Sequence, residues 1–315
     1  MTEPLALGID IGGTNTSYGI VNRQGKIIQK GSLSTTGHGS IEDYIQALKN
    51  ETLPVMEKAG RSNITGVGIG APNGNFFTGE VVFAPNLPWH GVIPMAKLIG
   101  AALGLKATLT NDAKAAAIGE MMYGAAKGMK DFIMVTLGTG LGSGFVANGQ
   151  IIYGHDGLAG ELGHVIAVRD GRKCNCGRNG CLERYASATG IVITAEQWLS
   201  ERNDATLLRT NKGAITAKMI HEAAAQGDTF ALELFEFTGK ILGQSLADAV
   251  AITSPQAIIF FGGLAKSGDL LINPVRKYLE ANLLHIYKNK VALLQSALPD
   301  ADAAILGASA LVWNP

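Results

Sequence analysis

Three cysteines are all that this chain of 315 residues contains. So few, and an odd number, exclude the disulfide framework of a secreted domain. Charge is scarce too. Asp, Glu, Lys and Arg make up 17%, below the usual quarter, and the 26 basic and 26 acidic side chains cancel. That balance gives no footprint for nucleic acid or an anionic membrane. No apolar run reaches the roughly 18 residues that suggest a membrane span. The opening, MTEPLALGID, has an acid and no basic stretch, so no secretory signal is expected. These absences point to the cytoplasm, with neither membrane nor nucleic acid as partner. What is plentiful is glycine, at 41 residues, and apolar side chains, at 47%. Glycine in such amount, without a linker or collagen period, signals tight turns and close backbone approach to ligands. The length and apolar share allow two domains of ordinary size, each with a core.

Along the chain, short apolar runs alternate with helical patterns, which is the mark of an α/β protein. Leu5 to Ile11 reads as a buried strand opening into Gly12-Gly13-Thr14-Asn15. Strands follow at 16–21 and 26–33, joined by a hairpin turn at Asn22 to Gly25. Ser40 with Asp43 resembles a capping box before a helix that Pro54 is expected to kink or break. A strand over 64–70 leads to a loop rich in Gly, Asn and Pro. Pro94 suits the first turn of the next helix. A strand over 107–110 delivers Asn111 and Asp112 to an Ala-rich helix. Then the opening pattern recurs: strand 132–137, the turn GTGLGSG, and FVANGQII. Gly138 matches Gly12 at an offset of 126 and Ile151 matches Ile27 at 124, a weak repeat over some twenty residues. It suggests two related halves with a cleft between them. Helices are expected over 188–200, 216–226, 228–252, 269–287 and 301–313, with strands over 256–261 and 290–294.

All three cysteines fall in one stretch, GELGHVIAVRDGRKCNCGRNGCLE, from Gly160 to Glu183. Cys174, Cys176 and Cys181 could be three small core residues, or a local disulfide with a spare thiol. Clustering in an Arg- and Gly-rich loop argues against a core. With His164 as a fourth donor, they would suit Zn²⁺ in a closed tetrahedral shell. Glu161 and Glu183 flank these ligands. A closed zinc site does no chemistry, but it can fix the acids beside it. Two carboxylates and an imidazole held together suggest a pocket that recognises hydroxyl groups, as on a sugar.

The turns at Asp10-Ile11-Gly12-Gly13-Thr14 and Gly138-Thr139-Gly140 could each bring backbone N–H groups to phosphate oxygens. Neither fits GxxxxGK[ST] or the GxGxxG of a dinucleotide fold. Each alone is more often a plain tight turn. Two in matched contexts, with a third at Gly262-Gly263, favour a nucleotide site. Asp10 could hold Mg²⁺ directly or through water. Asp112 lies at a strand-to-helix junction, where it or Asn111 could equally be a cap. Asn86, in PNLPW, has turn chemistry as its simplest explanation.

The combination DIGGTN, PNLPW, NDAKAAAIGE, LGTGLGSG, GELGH, CNCGRNGCLE and FFGG resembles the ROK family of sugar kinases and sugar-responsive repressors. The motifs run in family order from residue 10 to residue 263. The resemblance implies a two-domain actin-like ATPase fold, shared with hexokinase and Hsp70, with a cleft between domains. We expect a small α/β domain of residues 1–113 plus 298–315, and a large one, 114–297, carrying the zinc site. It implies ATP and Mg²⁺ at Asp10, Gly12, Gly13, Thr14, Gly138, Thr139 and Gly140, with Gly262 and Gly263 near the adenosine. Asn86, Asn111, Asp112, Glu161, His164 and Glu183 become sugar contacts, with Asp112 the general base. His164 would bind both zinc and sugar, one nitrogen to each. Repressors of the family carry a helix-turn-helix before the first phosphate loop. Only nine residues precede Asp10 here, so a kinase is expected over a repressor or a non-catalytic sugar-binding regulator. GELGH with Glu183 looks most like glucose kinases, ahead of N-acetylmannosamine and N-acetylglucosamine kinases. A homodimer or higher oligomer is expected.

Overall fold

The computed structural model describes residues 3–210, 213–299 and 302–313. Its elements begin with β1 (Leu5–Ile11), β2 (Asn15–Asn22), β3 (Ile27–Ser34), α1 (Ile41–Ala59), β4 (Ile64–Ala71), β5 (Val81–Val82) and β6 (Val92–Ile93). Next come α2 (Met95–Leu103), β7 (Ala107–Asn111), α3 (Asp112–Tyr123), β8 (Phe132–Leu137), β9 (Leu141–Ala147) and β10 (Gln150–Ile151). The rest are α4 (Ala188–Glu201), α5 (Ala217–Ala225), α6 (Thr229–Thr253), β11 (Ala257–Phe261), α7 (Asp269–Asn282), β12 (Ala292–Gln295) and α8 (Ala303–Trp313). The last helix was expected from Ala301, which lies outside the described residues.

Two compact units divide the chain. Unit 1 is Met1–Met129, Gly144–Gly160 and Ser296–Pro315, and unit 2 is Lys130–Ser143 with Glu161–Gln295. The first sheet, in order β3-β2-β1-β4-β7, lies in unit 1. β1 pairs antiparallel with β2 and parallel with β4, and Asp10 sits opposite Ser17 on one side and Gly70 on the other. The two faces of this sheet are covered differently. Leu7, Ile9 and Ile11 join Tyr44, Leu48 and Met56 of α1 and Met95, Ile99 and Leu103 of α2 in one buried cluster. The alternate positions carry little side chain: Ala6 and Gly8 on β1, and Gly66, Gly68 and Gly70 on β4. There α8 packs directly on the backbone: a Cβ at Gly68 would lie 1.9 Å from the Ala308 carbonyl oxygen. Gly8, Gly19, Gly66 and Gly68 thus make room for α8 on this face of the sheet.

The second sheet has the order β10-β9-β8-β11-β12, and the division between units falls within β9. β8 pairs parallel with β11, and β11 with β12. Phe132, Ile133, Val135, Ile258, Ile259 and Phe260 are fully buried, as expected of strands covered on both faces. In both sheets the third, second and first strands of a meander are followed by two parallel strands. The repeat suspected from two Gly turns is therefore a repeat of sheet topology.

Two local expectations are corrected. Pro54 lies inside α1, which continues without a break for 19 residues. Tyr44, Ile45, Leu48, Thr52 and Met56 put a buried stripe along the whole helix, and that packing outweighs the lost hydrogen bond. The helix expected over 269–287 ends at Asn282, where Leu283 turns to an extended ψ of 142°, and a separate single turn follows at His285–Tyr287.

Candidate active site

In unit 1 the backbone brings Asp10 and Asp112 together at the ends of two strands. β1 ends beyond Asp10, and β7 runs into α3 at the junction of Asn111 and Asp112. The side chain of Asn111, rather than that of Asp112, is the helix cap. Its Oδ1 accepts from the backbone N–H groups of Ala113 at 3.0 Å and Lys114 at 3.4 Å. Its amide N–H₂ also reaches the neighbouring Asp112 carboxyl, a bond that acts to lower the Asp112 pKa, which leaves one N–H as a further donor. Gly70, between the two acids on β4, is what permits their approach. A Cβ there would stand 3.3 Å from Asp10 Oδ1 and 3.8 Å from the Asp112 Cα.

The electrostatics follow from this crowding. Burial pushes the Asp10 carboxyl up to about 7, and the charge of Asp112 adds to the rise. Asp112 is solvent-accessible at the residue level, but protein surrounds its carboxyl, and this desolvation raises its pKa. Its hydrogen bond from the Ala113 N–H, 2.8 Å, acts the other way. Two acids that resist sharing negative charge form a place where a divalent cation or a transferable proton is welcome.

The first glycine turn closes when the Gly12 N–H donates to the Asn15 carbonyl, 3.0 Å. The PNLPW loop lies against it: a Cβ at Gly13 would be 2.7 Å from the Asn86 carbonyl oxygen. Asn86 and Thr14 are exposed. Behind the turn, Thr16 Oγ1 bonds both Thr35 Oγ1 and the Tyr44 hydroxyl, each at 2.8 Å. Asp10, Gly12, Gly13, Thr14, Asn86, Asn111 and Asp112 thus share one region of unit 1.

Unit 2 gathers the remaining candidates. The second turn closes through Gly138 N–H to the Gly140 carbonyl, 3.1 Å, and its Gly138 carbonyl accepts from Ala188 N–H, 2.8 Å. Beyond it, the Ser143 hydroxyl accepts from the Leu162 N–H, 3.1 Å. Gly163 packs so closely that a Cβ would fall 2.2 Å from the Leu141 carbonyl oxygen. The Glu161–His164 turn is therefore seated on β9. Glu183 Oε2 lies 2.9 Å from the Cβ position of Gly140, so the cysteine loop reaches the same turn. The Gly262-Gly263 turn joins it as well, since Leu264 N–H donates to the Leu137 carbonyl, 3.1 Å.

The cysteine loop brings His164, Cys174, Cys176 and Cys181 together, with one donor atom of each within 4.8 Å of all the others. Cys174 Sγ is 3.8 Å from His164 Nδ1, and Cys176 Sγ is 3.5 Å from Cys181 Sγ. Zn–S bonds of about 2.3 Å set tetrahedral edges of about 3.8 Å, so this donor set fits zinc in both identity and spacing. Because Nδ1 faces the sulfurs, Nε2 is the nitrogen left for another ligand. Glu183 Oε1 stands 3.0 Å from Cys174 Sγ and 3.9 Å from His164 Nδ1. Burial raises the Cys174 thiol to about 12. For Cys176, burial is outweighed by the Arg178 N–H and the neighbouring thiols, which bring it down to about 6. Around the loop, the Arg172 guanidinium bonds the Arg184 carbonyl at 2.9 Å and the Thr194 hydroxyl at 2.9 Å, and stacks over Tyr185.

The ROK family model matches residues 6–314. The chain belongs to the ROK family. Among its relatives, the glucokinase of Halalkalibacterium halodurans is 34% identical over 319 residues, covering 99% of this chain and 96% of that protein. An N-acetylmannosamine kinase of Escherichia coli O157:H7 is 31% identical, covering 93% of this chain and 97% of that protein. Among solved structures, a ROK glucokinase from Streptomyces griseus in complex with glucose and AMPPNP is 33% identical, with a TM-score of 0.80. It is covered in full by 99% of this chain. The chain thus has the two-domain actin-like ATPase fold of the ROK sugar kinases. Gly70, Ser143 and Arg172, which set the spacing of ROK motif residues here, escaped the sequence. Each works through a contact distant in the chain, and no local pattern announces it.

Proposed function

We propose that this chain is an ATP-dependent hexose kinase that phosphorylates the 6-hydroxyl of glucose. The observation that carries this reading is likeness over nearly the full length to glucokinases. In this reading Asp112 accepts the proton as the hydroxymethyl oxygen attacks the terminal phosphate. A raised carboxyl pKa makes it a stronger base, which suits the task. Asn111, with its oxygen engaged as a cap and one N–H on Asp112, offers its other N–H to the sugar, and Asn86 joins it. Glu161, Glu183 and Nε2 of His164 bind ring hydroxyls. In this reading the N–H groups of Gly13, Thr14, Thr139 and Gly140 meet phosphate oxygens, Gly12 and Gly138 shape the two turns through their own closing bonds, and Gly262 and Gly263 lie near the adenosine.

Phosphoryl transfer needs alignment and charge neutralisation above all. Mg²⁺, when bound, would supply part of that neutralisation, and Asp10 is the residue that would hold it. Zn²⁺ would be held by His164, Cys174, Cys176 and Cys181 as a closed structural ion that fixes the carboxylate of Glu183. The protein would act in the cytoplasm, as a homodimer or higher oligomer. Sugar-dependent release of ADP, measured across a panel of hexoses at fixed ATP, tests the proposal. Glucose should give the highest kcat/KM. A higher value for N-acetylmannosamine or N-acetylglucosamine would move the chain to the amino-sugar kinases, a reading that the 31% identical relative keeps in view. No ADP release with any sugar would leave a sugar-binding regulator.

A further inference from the structure

Lys114 stands in the first turn of α3, two residues after Asp112, and is only 2% exposed. An ammonium withdrawn from water is costly unless it is well hydrogen-bonded, so a packed helix that keeps one uses it for something. Its Nζ donates to the Gly157 carbonyl at 2.9 Å and lies 5.8 Å from the centre of the Tyr153 ring. That ring stacks on Phe76 at 4.2 Å. A second anchor meets the same stretch. Asn75 Nδ2 donates to the Asp156 carbonyl, 2.7 Å, while its Oδ1 accepts from Phe77 N–H, 2.9 Å. At Gly157, φ is +87° and a Cβ would sit 2.6 Å from Asn75 Oδ1, so a side chain there would be strained and would press on this anchor. Ala159 N–H closes the loop on the Tyr153 carbonyl, 3.0 Å. Residues 153–160 therefore form a closed loop pinned at its middle, and the next residue is Glu161.

We propose that Lys114 is a positioning residue for sugar recognition. Its ammonium fixes loop 153–160 to the first turn of the helix that starts at Asp112, and so sets the point from which the chain enters Glu161. The inference rests on the sugar-kinase reading, with Glu161 as a ring-hydroxyl ligand.

The test is steady-state kinetics of Lys114→Met, with glucose and ATP varied separately. KM for glucose should rise about tenfold or more, since small displacements in a binding site have effects of this order. KM for ATP should stay within about twofold. Asn75→Ala removes the other anchor and should give the same sugar-selective change, and it decides the matter should Lys114→Met not fold. Glucose KM within about twofold of wild type in a folded variant would overturn the inference. So would an equal rise in both KM values, which is what general loosening produces. A wild-type chain that phosphorylates no hexose would instead overturn the kinase reading, and this inference with it.

Discussion

β1 and β8 hold the same place in two sheets of the same strand order, and each ends in a glycine turn that closes on its own first N–H. The offset of 126 that aligns Gly12 with Gly138 sets Thr136 opposite Asp10. One turn thus carries a half-buried carboxyl and the other a hydroxyl. The surroundings differ in the same sense. Asp10 looks across Gly70 to Asp112, whereas the second turn has the Gly262-Gly263 turn and the Glu183 side chain beside it. A repeat of backbone has been kept while the chemistry was divided. On the proposed reading, unit 1 carries the base, the acid for Mg²⁺ and the sugar contacts Asn86 and Asn111, while unit 2 carries Glu161, Glu183 and the loop of the candidate zinc cluster. Four substitutions can break or sharpen that contrast.

The largest effect is expected at Asp112. Asp112→Asn keeps shape and removes basicity. Turnover should fall by roughly 10²–10⁴-fold, the usual scale for losing a general base. Glucose affinity should change far less, because an amide can still hydrogen-bond the hydroxyl. Rapid kinetics and equilibrium binding on a zinc-replete protein separate the two quantities. Near-normal turnover would place the base elsewhere and remove the asymmetry between units.

Asp10 comes next, and its signature is in stability against pH. Its folded pKa of about 7 lies well above the ordinary aspartate value of about 3.9. Between those values the folded protein keeps a proton that the unfolded chain has lost. The free energy of unfolding of the metal-free protein should therefore fall as pH rises through this window, by about 4 kcal/mol at most. Asp10→Asn cannot ionise, and it also relieves Asp112 of a neighbouring charge. Its Tm at pH 7.5 without Mg²⁺ should exceed that of wild type, with a flatter pH profile, although its activity is lost. Parallel Tm curves for the two proteins between pH 4 and 7 would contradict the burial argument.

Much of this was legible in the chain. The bounds of β1 and β8 follow from apolar runs stopped by glycine, and the Cys-His cluster follows from composition and spacing alone. What the sequence hid has a common cause. The cap at Asn111 rather than Asp112 is decided by side-chain rotamers, since both residues can cap. The continuity of α1 through Pro54 is decided by tertiary packing along its buried stripe. Gly70 reads as a plain strand glycine until Asp10 and Asp112 are placed on either side of it. Strand order itself needs pairings between residues such as Ile258 and Ile133, far apart in the chain, which no window of sequence contains.

A smaller effect is expected at Cys176, which belongs to the candidate zinc cluster and is exposed. Cys176→Ser should lose stoichiometric zinc and weaken glucose binding by about 10–100-fold, the scale on which support around a metal site acts. Nucleotide binding should hold, because the glycine turns do not depend on the cysteine loop for their own closing hydrogen bonds. Elemental analysis with glucose and ADP titrations would check all three statements. Active enzyme without stoichiometric metal would remove zinc from the scheme.

The smallest effect is expected at Thr136, and it is the sharpest test of the contrast between the two turns. Were the repeat functional as well as structural, Thr136 would stand in for Asp10 as a polar group at the mouth of its turn. The structure gives it less to do. It pairs with Phe261 of β11 at the last rung of the sheet, and it is partly exposed. A β-branched residue suits that rung whether or not it carries a hydroxyl. Thr136→Val keeps the branch and removes the oxygen. Stability should change by less than about 1 kcal/mol, as is usual away from packed or charged features. Turnover and the KM for ATP should stay within about threefold of wild type, against the loss expected for Asp10→Asn. A fall in ATP affinity of tenfold or more would mean that the hydroxyl binds phosphate or metal. The second turn would then be a chemical as well as a structural copy of the first.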